Sequence, residues 1–444
     1  MQFHLSMCSA LLLLCVSPLA NAELDSVERQ IVDAVDARQG QALDLLERAV
    51  NINSGSLNLE GVRAVGQLFD AALRDAGLET EWIDGAAFGR AGHLIARTPG
   101  QTPADPRPHV LLIGHLDTVF EPDSPFQRFE RLDGDGAPGR YARGPGSTDM
   151  KGGDVVIVEA LQALRRAGVL DRLQVTVVLI GDEELSGRPL SLARAALVAA
   201  AEDADVALGF EDGDGDPATA VIARRGYSGW ELSVRGTPAH SSLIFSDAIG
   251  AGAIYEVARI LDGFYTTLAG EPNLTFNPGV LLAGTSVDFD AEQARGSAFG
   301  KANVVPEHAV VSGDLRTLSM EQRERAKLRM QEIVAAHLPG TSAELRFEDG
   351  YPPLAPSDGN RRLLDAYSAV SEALGYGPVA AVDPAAAGAA DISFTAGRVD
   401  MALDGLGLMG SGGHTVTETA DLDTLGSQTQ RAAVLMYRLK DLAD

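Results

Sequence analysis

The feature that most constrains this chain is an alternation. Apolar runs of strand length, His109 to Gly114, Leu173 to Gly181 and Val206 to Phe210, each end in polar or acidic residues. Between them, residues 151–167 and 189–201 carry helical apolar spacing. Strand and helix alternating in this way imply an α/β fold, a mostly parallel sheet with helices covering both faces. Helical spacing also opens the chain at 25–50 (Val27, Ile31, Val35, then Leu43, Leu46, Val50) and at 58–76, separated by the turn-rich stretch Asn51 to Asn58.

From about residue 226 the texture changes to alternating strands, Gly229 to Arg235 and Ala309 to Arg316, with two long helical stretches near 247–265 and 320–337. This reads as an inserted α+β unit of domain size. Beyond 351 the first pattern resumes, with a helix at 360–374, a strand near 399–404 and a terminal helix at 421–441. An alanine-heavy loop, Val379 to Ala390, interrupts it. The expectation is a discontinuous first domain, 23–225 and 350–444, flanking an insertion at 226–349.

Residues 1–22 stand apart, because the apolar run Met7 to Val16 precedes Ser17-Pro18-Leu19-Ala20-Asn21-Ala22, which ends in a small-residue A-x-A pattern. This reads as a secretory signal peptide, its run shorter than the ~20 residues of a bilayer span. Leu14 stands directly before Cys15, where a lipoprotein signal wants a small residue, so the expectation is a soluble secreted or periplasmic protein with no membrane attachment. Cys8 and Cys15 both lie in this leader. The mature chain therefore has no cysteine, which excludes a thiol nucleophile, a disulfide framework and cysteine metal ligands. With 36 Lys+Arg against 62 Asp+Glu, a formal net charge of −26, nucleic acid and anionic membrane are poor partners.

Five motifs could carry chemistry. Strand Val110 to Gly114 delivers His115 and Asp117, two residues apart, so that one can bind a metal while the other holds it. The glycine-rich Gly144-Pro145-Gly146-Ser147-Thr148-Asp149-Met150-Lys151-Gly152-Gly153 puts Asp149 at the mouth of a helix. Asp182-Glu183-Glu184 follows a buried strand, three adjacent carboxylates whose mutual repulsion favours a cation site. Glu211 and Asp212 again follow a strand, and His414 lies in the glycine loop Gly410 to Glu418. Each has an ordinary reading alone: Asp149 as a helix N-cap, His414 as a solvated loop residue, Glu211 as a turn residue. Their coincidence past the carboxyl ends of strands is where open α/β sheets place their sites. Two histidines with several carboxylates and no cysteine suit zinc or a similar divalent ion, and a shared carboxylate can hold two ions ~3.5–4 Å apart. No G-x-S-x-G elbow occurs, which disfavours a serine hydrolase.

With these motifs, the chain resembles the co-catalytic dizinc hydrolases that include bacterial glutamate carboxypeptidase, aminoacylase, succinyl-diaminopimelate desuccinylase and acetylornithine deacetylase. The glutamate carboxypeptidase branch is nearest, and Asn51-Ile52-Asn53-Ser54-Gly55 is similar to the segment ending its opening helix. The resemblance implies a zinc-exopeptidase-like catalytic domain with a ferredoxin-like lid or dimerisation domain inserted. It implies two zinc ions per subunit: His115, Asp149 and Glu211 match the ligands of one, and Asp149, Glu184 and His414 those of the other, with Asp149 bridging. Asp117 matches the residue that orients the histidine ligand. Glu183 matches the general base, which takes a proton from the water between the metals and passes it to the leaving amine.

In the insertion, Gly236-Thr237-Pro238-Ala239-His240-Ser241-Ser242 resembles the segment whose histidine reaches a partner subunit's site and stabilises the oxyanion, so the resemblance implies a homodimer. Lys301-Ala302-Asn303-Val304-Val305-Pro306 and Gly313-Asp314-Leu315-Arg316 resemble the substrate-contacting stretches. Arg316 there offers a planar fork to a substrate carboxylate, and a surface ion pair is its alternative. The chain departs from the pattern at Gly350-Tyr351-Pro352, where the family often has arginine between Gly and Pro, and this leaves the substrate side chain open. The implied activity is cleavage of a peptide or N-acyl amino acid beside a free carboxylate. Carboxypeptidase comes first, N-acyl amino acid deacylase second, and an inactive metal-stabilised binding protein is a rival of another class. His93, His109, His308 and His337 lie outside the motifs and are expected to be structural or exposed.

Overall fold

The computed structural model describes residues 23–441 apart from 103–104, 135–136 and 292. The leader, with Cys8 and Cys15, lies outside the described residues. Among those described, no helix is long and apolar enough to cross a membrane.

A six-stranded sheet runs in the order Glu79–Asp84, Gly92–Arg97, Gln174–Ile180, His109–His115, Val206–Gly209, Met401–Leu403. The last four strands are mutually parallel, and the first two extend the sheet antiparallel. Side chains in the central strands alternate between faces. Val110 and Leu112 enter a core with Val175, Val177 and the helices Ser26–Asp36, Leu59–Asp75, Lys151–Arg166 and Asp423–Arg438, whereas Leu111 and Ile113 enter a second core with Val178, Leu197 and Phe394. Both faces are thus dry, which explains why these strands read as continuous apolar runs.

Two expected helices are broken. The 25–50 stretch divides into Ser26–Asp36 and Gln39–Val50, and the 189–201 stretch into Leu190–Ala193 and Ala195–Glu202. The second break falls at Arg194, which leaves helical geometry while its side chain turns inward to bond Asp182 and Asp391. Three strand pairs are additional to the sequence reading. These are the Glu79–Asp84 and Gly92–Arg97 extension, the Glu130–Gly134 and Ala137–Arg143 hairpin, and an exposed arm formed by Ser286–Asp290 and Arg295–Phe299. Within the alanine-heavy loop, Ala380–Ala381 pairs with Thr219–Ala220.

Residues 226–349 form a separate antiparallel sheet, ordered Thr275–Gly284, His308–Thr317, Gly226–Gly236, Thr341–Asp349. Helices Ala253–Leu268 and Met320–Ala335 pack on one face, around Trp230, Leu232, Val234, Ile260, Phe264, Val311 and Met330. The succession β-α-β-β-α-β is the ferredoxin-like arrangement.

Candidate active site

The acidic cluster lies beyond the carboxyl ends of the parallel strands. His115 ends its strand fully buried, and its Nδ1–H donates to the main-chain carbonyl of Asp117 at 3.0 Å, which turns Nε2 outward. That nitrogen lies 3.0 Å from Asp149 Oδ1 and 3.7 Å from Glu211 Oε1. The other Asp149 oxygen, Oδ2, lies 3.0 Å from His414 Nε2, which is also 3.1 Å from Glu184 Oε2. One carboxylate therefore offers one oxygen to each of two imidazoles. Ligand atoms of His115, Asp149 and Glu184 lie within 4.8 Å of one another.

Local sequence explains how Asp149 arrives there. The helix Lys151–Arg166 starts just after it, and Asp149 caps nothing: its carboxylate faces the two histidines. A Cβ on Gly153 would lie 1.9 Å from the Phe210 carbonyl oxygen, so glycine alone lets this first turn press against the strand end that carries Glu211. His414 adopts φ 61°, the left-handed region that histidine enters only at some cost, in a glycine-rich loop that leaves its side chain 61% exposed.

Asp117 does two jobs. Its carbonyl orients His115, while its buried carboxylate accepts the N–H groups of Glu183 (2.9 Å) and Glu184 (3.1 Å) and the Ser56 hydroxyl (2.5 Å). The carboxylate thus pins the acidic turn against the histidine strand. Glu418, named only as the end of the His414 motif, performs a similar task for the Asp149 loop. Its carboxylate takes the N–H groups of Gly146 (3.1 Å), Thr148 (2.9 Å) and Asp149 (3.2 Å).

The electrostatics follow from burial and crowding. Burial, then Asp391, pushes Glu183 well above the usual carboxylate range, and burial does the same for Glu211. Burial opposes a charged His115, yet its bond to Asp149 and the charge of Glu211 raise it well above the ordinary imidazole value. His414 is raised to about 11 by its bonds to Asp149 and Glu184. Burial works against ionised Asp149 too, but the two histidines hold its carboxyl below the usual range. The same negative charges that raise the two imidazoles would favour bound cations, and the set of two imidazoles and three carboxylates fits divalent ions with nitrogen and oxygen preference.

Sequence reasoning missed the groups that brace this cluster, because nothing local marks them. Arg194, 1% exposed, bonds Asp182 (2.7 Å), Asp391 (2.7 Å) and the Tyr351 hydroxyl (2.7 Å). Arg224 bonds Asp404 at 2.7 Å. His93, expected from sequence to be structural or exposed, is buried and accepts the Gly181 N–H at 3.1 Å, holding the start of the acidic turn. In the insertion, His240 bonds Ser242 (2.8 Å), the Asn303 carbonyl accepts the Ser241 N–H (2.9 Å), and Arg316 pairs with Asp314 (2.9 Å) over the Tyr227 ring. Among the described residues, these contacts stay within the insertion and do not join the cluster.

A model of peptidase family M20/M25/M40 matches residues 111–438. Carboxypeptidase G2 of Pseudomonas sp. (strain RS-16) is 24% identical over 414 residues, 92% of each chain. Aminopeptidase PepT from Bacillus cereus superposes with a TM-score of 0.68 at 17% identity, over 91% of this chain and 99% of that one. The YXEP protein of Bacillus subtilis, a dinuclear metal binding peptidase from the M20 family, gives a TM-score of 0.61 at 18% identity, over 91% and 99%. The structural likenesses establish the shared α/β fold.

Proposed function

The chain belongs to peptidase family M20/M25/M40 and is a metallopeptidase-type hydrolase, and from that premise we propose that it is an exported dizinc carboxypeptidase cleaving an amide bond beside a free carboxylate. The observation that carries the metal centre is Asp149, whose two oxygens each lie 3.0 Å from a different histidine, with Glu184 and Glu211 alongside. The likeness to carboxypeptidase G2 supports the choice of reaction. His115, Asp149 and Glu211 would hold one ion and Asp149, Glu184 and His414 the other. Divalent ions bound by these residues would supply Lewis acidity toward the scissile carbonyl and the attacking water.

The protein's own groups do the rest. Glu183, buried and with its proton affinity raised by that burial, is the one carboxylate of the acidic turn left over from ligation and bracing, and serves as the general base. It takes the proton of the attacking water and returns it to the leaving nitrogen. Asp117 keeps Glu183 and Glu184 in register by holding both their N–H groups. Arg316 recognises the substrate carboxylate, Asn303 contacts the substrate, and His240 reaches the site of a partner subunit in a homodimer to stabilise the oxyanion. The apolar run and A-x-A ending of residues 1–22 support export to the periplasm or out of the cell.

A hydrolysis screen of dipeptides and N-acyl amino acids, with zinc, manganese or cobalt added to chelator-stripped protein, tests this reading. Release of a free C-terminal amino acid that depends on metal is the expected result, with about two ions bound per subunit. A preference for simple N-acyl groups over peptides would move the assignment to a deacylase, and metal-free activity would overturn the mechanism.

A further inference from the structure

The chain passes between its two sheets twice, and the passages pair with each other. Arg224 and Leu354 exchange both main-chain hydrogen bonds (2.9 and 3.0 Å). The Tyr227 N–H donates to the Tyr351 carbonyl (2.9 Å), and the Gly350 N–H to that of Tyr227 (3.1 Å). Such a paired hinge needs only backbone. Each passage nevertheless sends one long polar side chain into the site.

From the returning passage, the Tyr351 hydroxyl donates to the main-chain carbonyl of Glu183 at 3.1 Å and accepts from Arg194 at 2.7 Å, while its ring packs edge-on against Phe394. Arg194 simultaneously holds the Asp182 carboxylate and carbonyl, so phenol and guanidinium together grip the acidic turn from behind. From the outgoing passage, Arg224 bonds Asp404 Oδ2 at 2.7 Å, and Asp404 Oδ1 accepts the Glu211 N–H at 3.3 Å. Both Arg224 and Asp404 are buried, and a buried pair of charges is costly unless its geometry is well satisfied. Apolar residues would serve a plain hinge at lower cost.

We propose that Tyr351 and Arg224 are positioning residues that tie the orientation of the inserted unit to the site, Tyr351 through the turn bearing Glu183 and Arg224 through Asp404 to Glu211. The proposal rests on the roles given above to Glu183 and Glu211. Any rotation of the inserted unit about the paired hinge drags the phenol and the guanidinium, and with them the base and one ligand. The departure at Gly350-Tyr351-Pro352 is then a device of positioning, since the hydroxyl is spent on Arg194 and the Glu183 carbonyl.

The test uses the full mature chain. Tyr351→Phe fills the same space but loses the hydroxyl. Loss of an outer partner or a small misplacement of a catalytic group predicts a fall in kcat of roughly 10–100-fold, with KM and zinc affinity within about twofold of wild type. Arg224→Lys keeps the charge but not the fork, and zinc titrated against a chromophoric chelator should bind roughly 10–100-fold more weakly. A purely structural hinge would lower Tm in both variants while leaving kcat per zinc-loaded molecule and zinc affinity unchanged, which overturns the proposal. Should Arg224→Lys fail to fold, Tyr351→Phe decides alone. Should the wild type hydrolyse no amide, the functional reading falls, and the zinc competition with Arg224→Lys still decides this one.

Discussion

Replacing Asp117 with asparagine separates what the site costs from what it does. The Asp117 carboxylate accepts three hydrogen bonds, from the N–H groups of Glu183 and Glu184 and the Ser56 hydroxyl. An amide of the same shape must turn its NH2 toward one of the two N–H groups. It thereby forfeits one charge-assisted bond and leaves donors facing each other, a loss of about 3–5 kcal/mol. Against this stands the charge itself: burial, opposed by His115 and reinforced by Glu184, raises the carboxyl from 3.8 to about 6. Carrying that charge at neutral pH costs the metal-free fold about 3 kcal/mol, which asparagine relieves. The net change in stability at pH 7 is therefore small, within about 2 kcal/mol. The sign with pH is fixed: the folded state binds the extra proton between 3.8 and about 6, so wild-type stability falls as pH rises through that window. Asparagine has no such slope. Urea denaturation in chelator should show Asp117→Asn gaining on wild type by about 2 kcal/mol from pH 4 to pH 7, while kcat of the metal-loaded variant falls roughly 10–100-fold because the Glu183 turn is no longer held. A variant that keeps its kcat, or whose stability tracks wild type at both pH values, would refute the assignment of Asp117 as the brace of the acidic turn.

Three further outcomes are expected. Glu183→Gln should keep metal at the wild-type level and lose roughly 10²–10⁴-fold in kcat, whereas Glu184→Gln should lose metal and recover partly in excess zinc; the reverse pattern in metal analysis would exchange their roles. Arg316→Ala removes a charged hydrogen-bonding partner worth about 1.5–3 kcal/mol, so kcat/KM should fall roughly 10–100-fold for free-acid substrates and stay level for their amides; equal losses would reduce Arg316 to its ion pair with Asp314. If His240 acts across a dimer, mixing inactive Glu183→Gln with inactive His240→Ala should restore activity by pairing an intact base with an intact histidine, and mixtures that stay inactive would confine His240 to its own subunit.

What was legible in the sequence is what local pattern can encode. His115, Glu184 and Glu211 follow apolar runs whose strand character is visible residue by residue, and a parallel sheet carries such strand ends to one edge. Asp149 and His414 were legible through glycines, which mark where the chain must bend or approach another segment closely. The braces were not legible. Arg194, Arg224, Asp391 and Asp404 are ordinary charged residues in sequence, and burial with a partner far along the chain is a tertiary fact. The short strands Glu130–Gly134 and Ala137–Arg143 escaped for a related reason: their side chains are mostly half-exposed and polar, so no apolar period announces them.

The braces also bear on how the proposed metal site would exchange protons for cations. Among the described residues, Asp117, Asp149, Glu183, Glu184, Glu211, Asp391, Asp404 and Glu418 crowd one region with the buried side-chain cations Arg194, Arg224 and Lys151, and Lys151 is itself lowered to about 8 by burial. Carboxylates in such excess cannot all ionise in a dry setting. Burial pushes Glu183 and Glu211 toward their protonated forms, the bond to Asp149 and the charge of Glu211 push His115 toward its charged form, and His414 is raised to about 11 by Asp149 and Glu184. Imidazoles must give up those protons to ligate. Uptake of two divalent ions at pH 7 should therefore release protons from at least the two histidines, and zinc affinity should fall steeply as the solution is acidified. Calorimetric titration of zinc into stripped protein, in buffers of differing ionisation enthalpy, reads the release directly from the slope of observed heat against buffer enthalpy. A slope corresponding to about two protons or more supports a site assembled around charge exchange. A slope near zero would mean that the imidazoles are neutral before metal arrives, and the electrostatic account of His115, Asp149 and His414 would have to be abandoned.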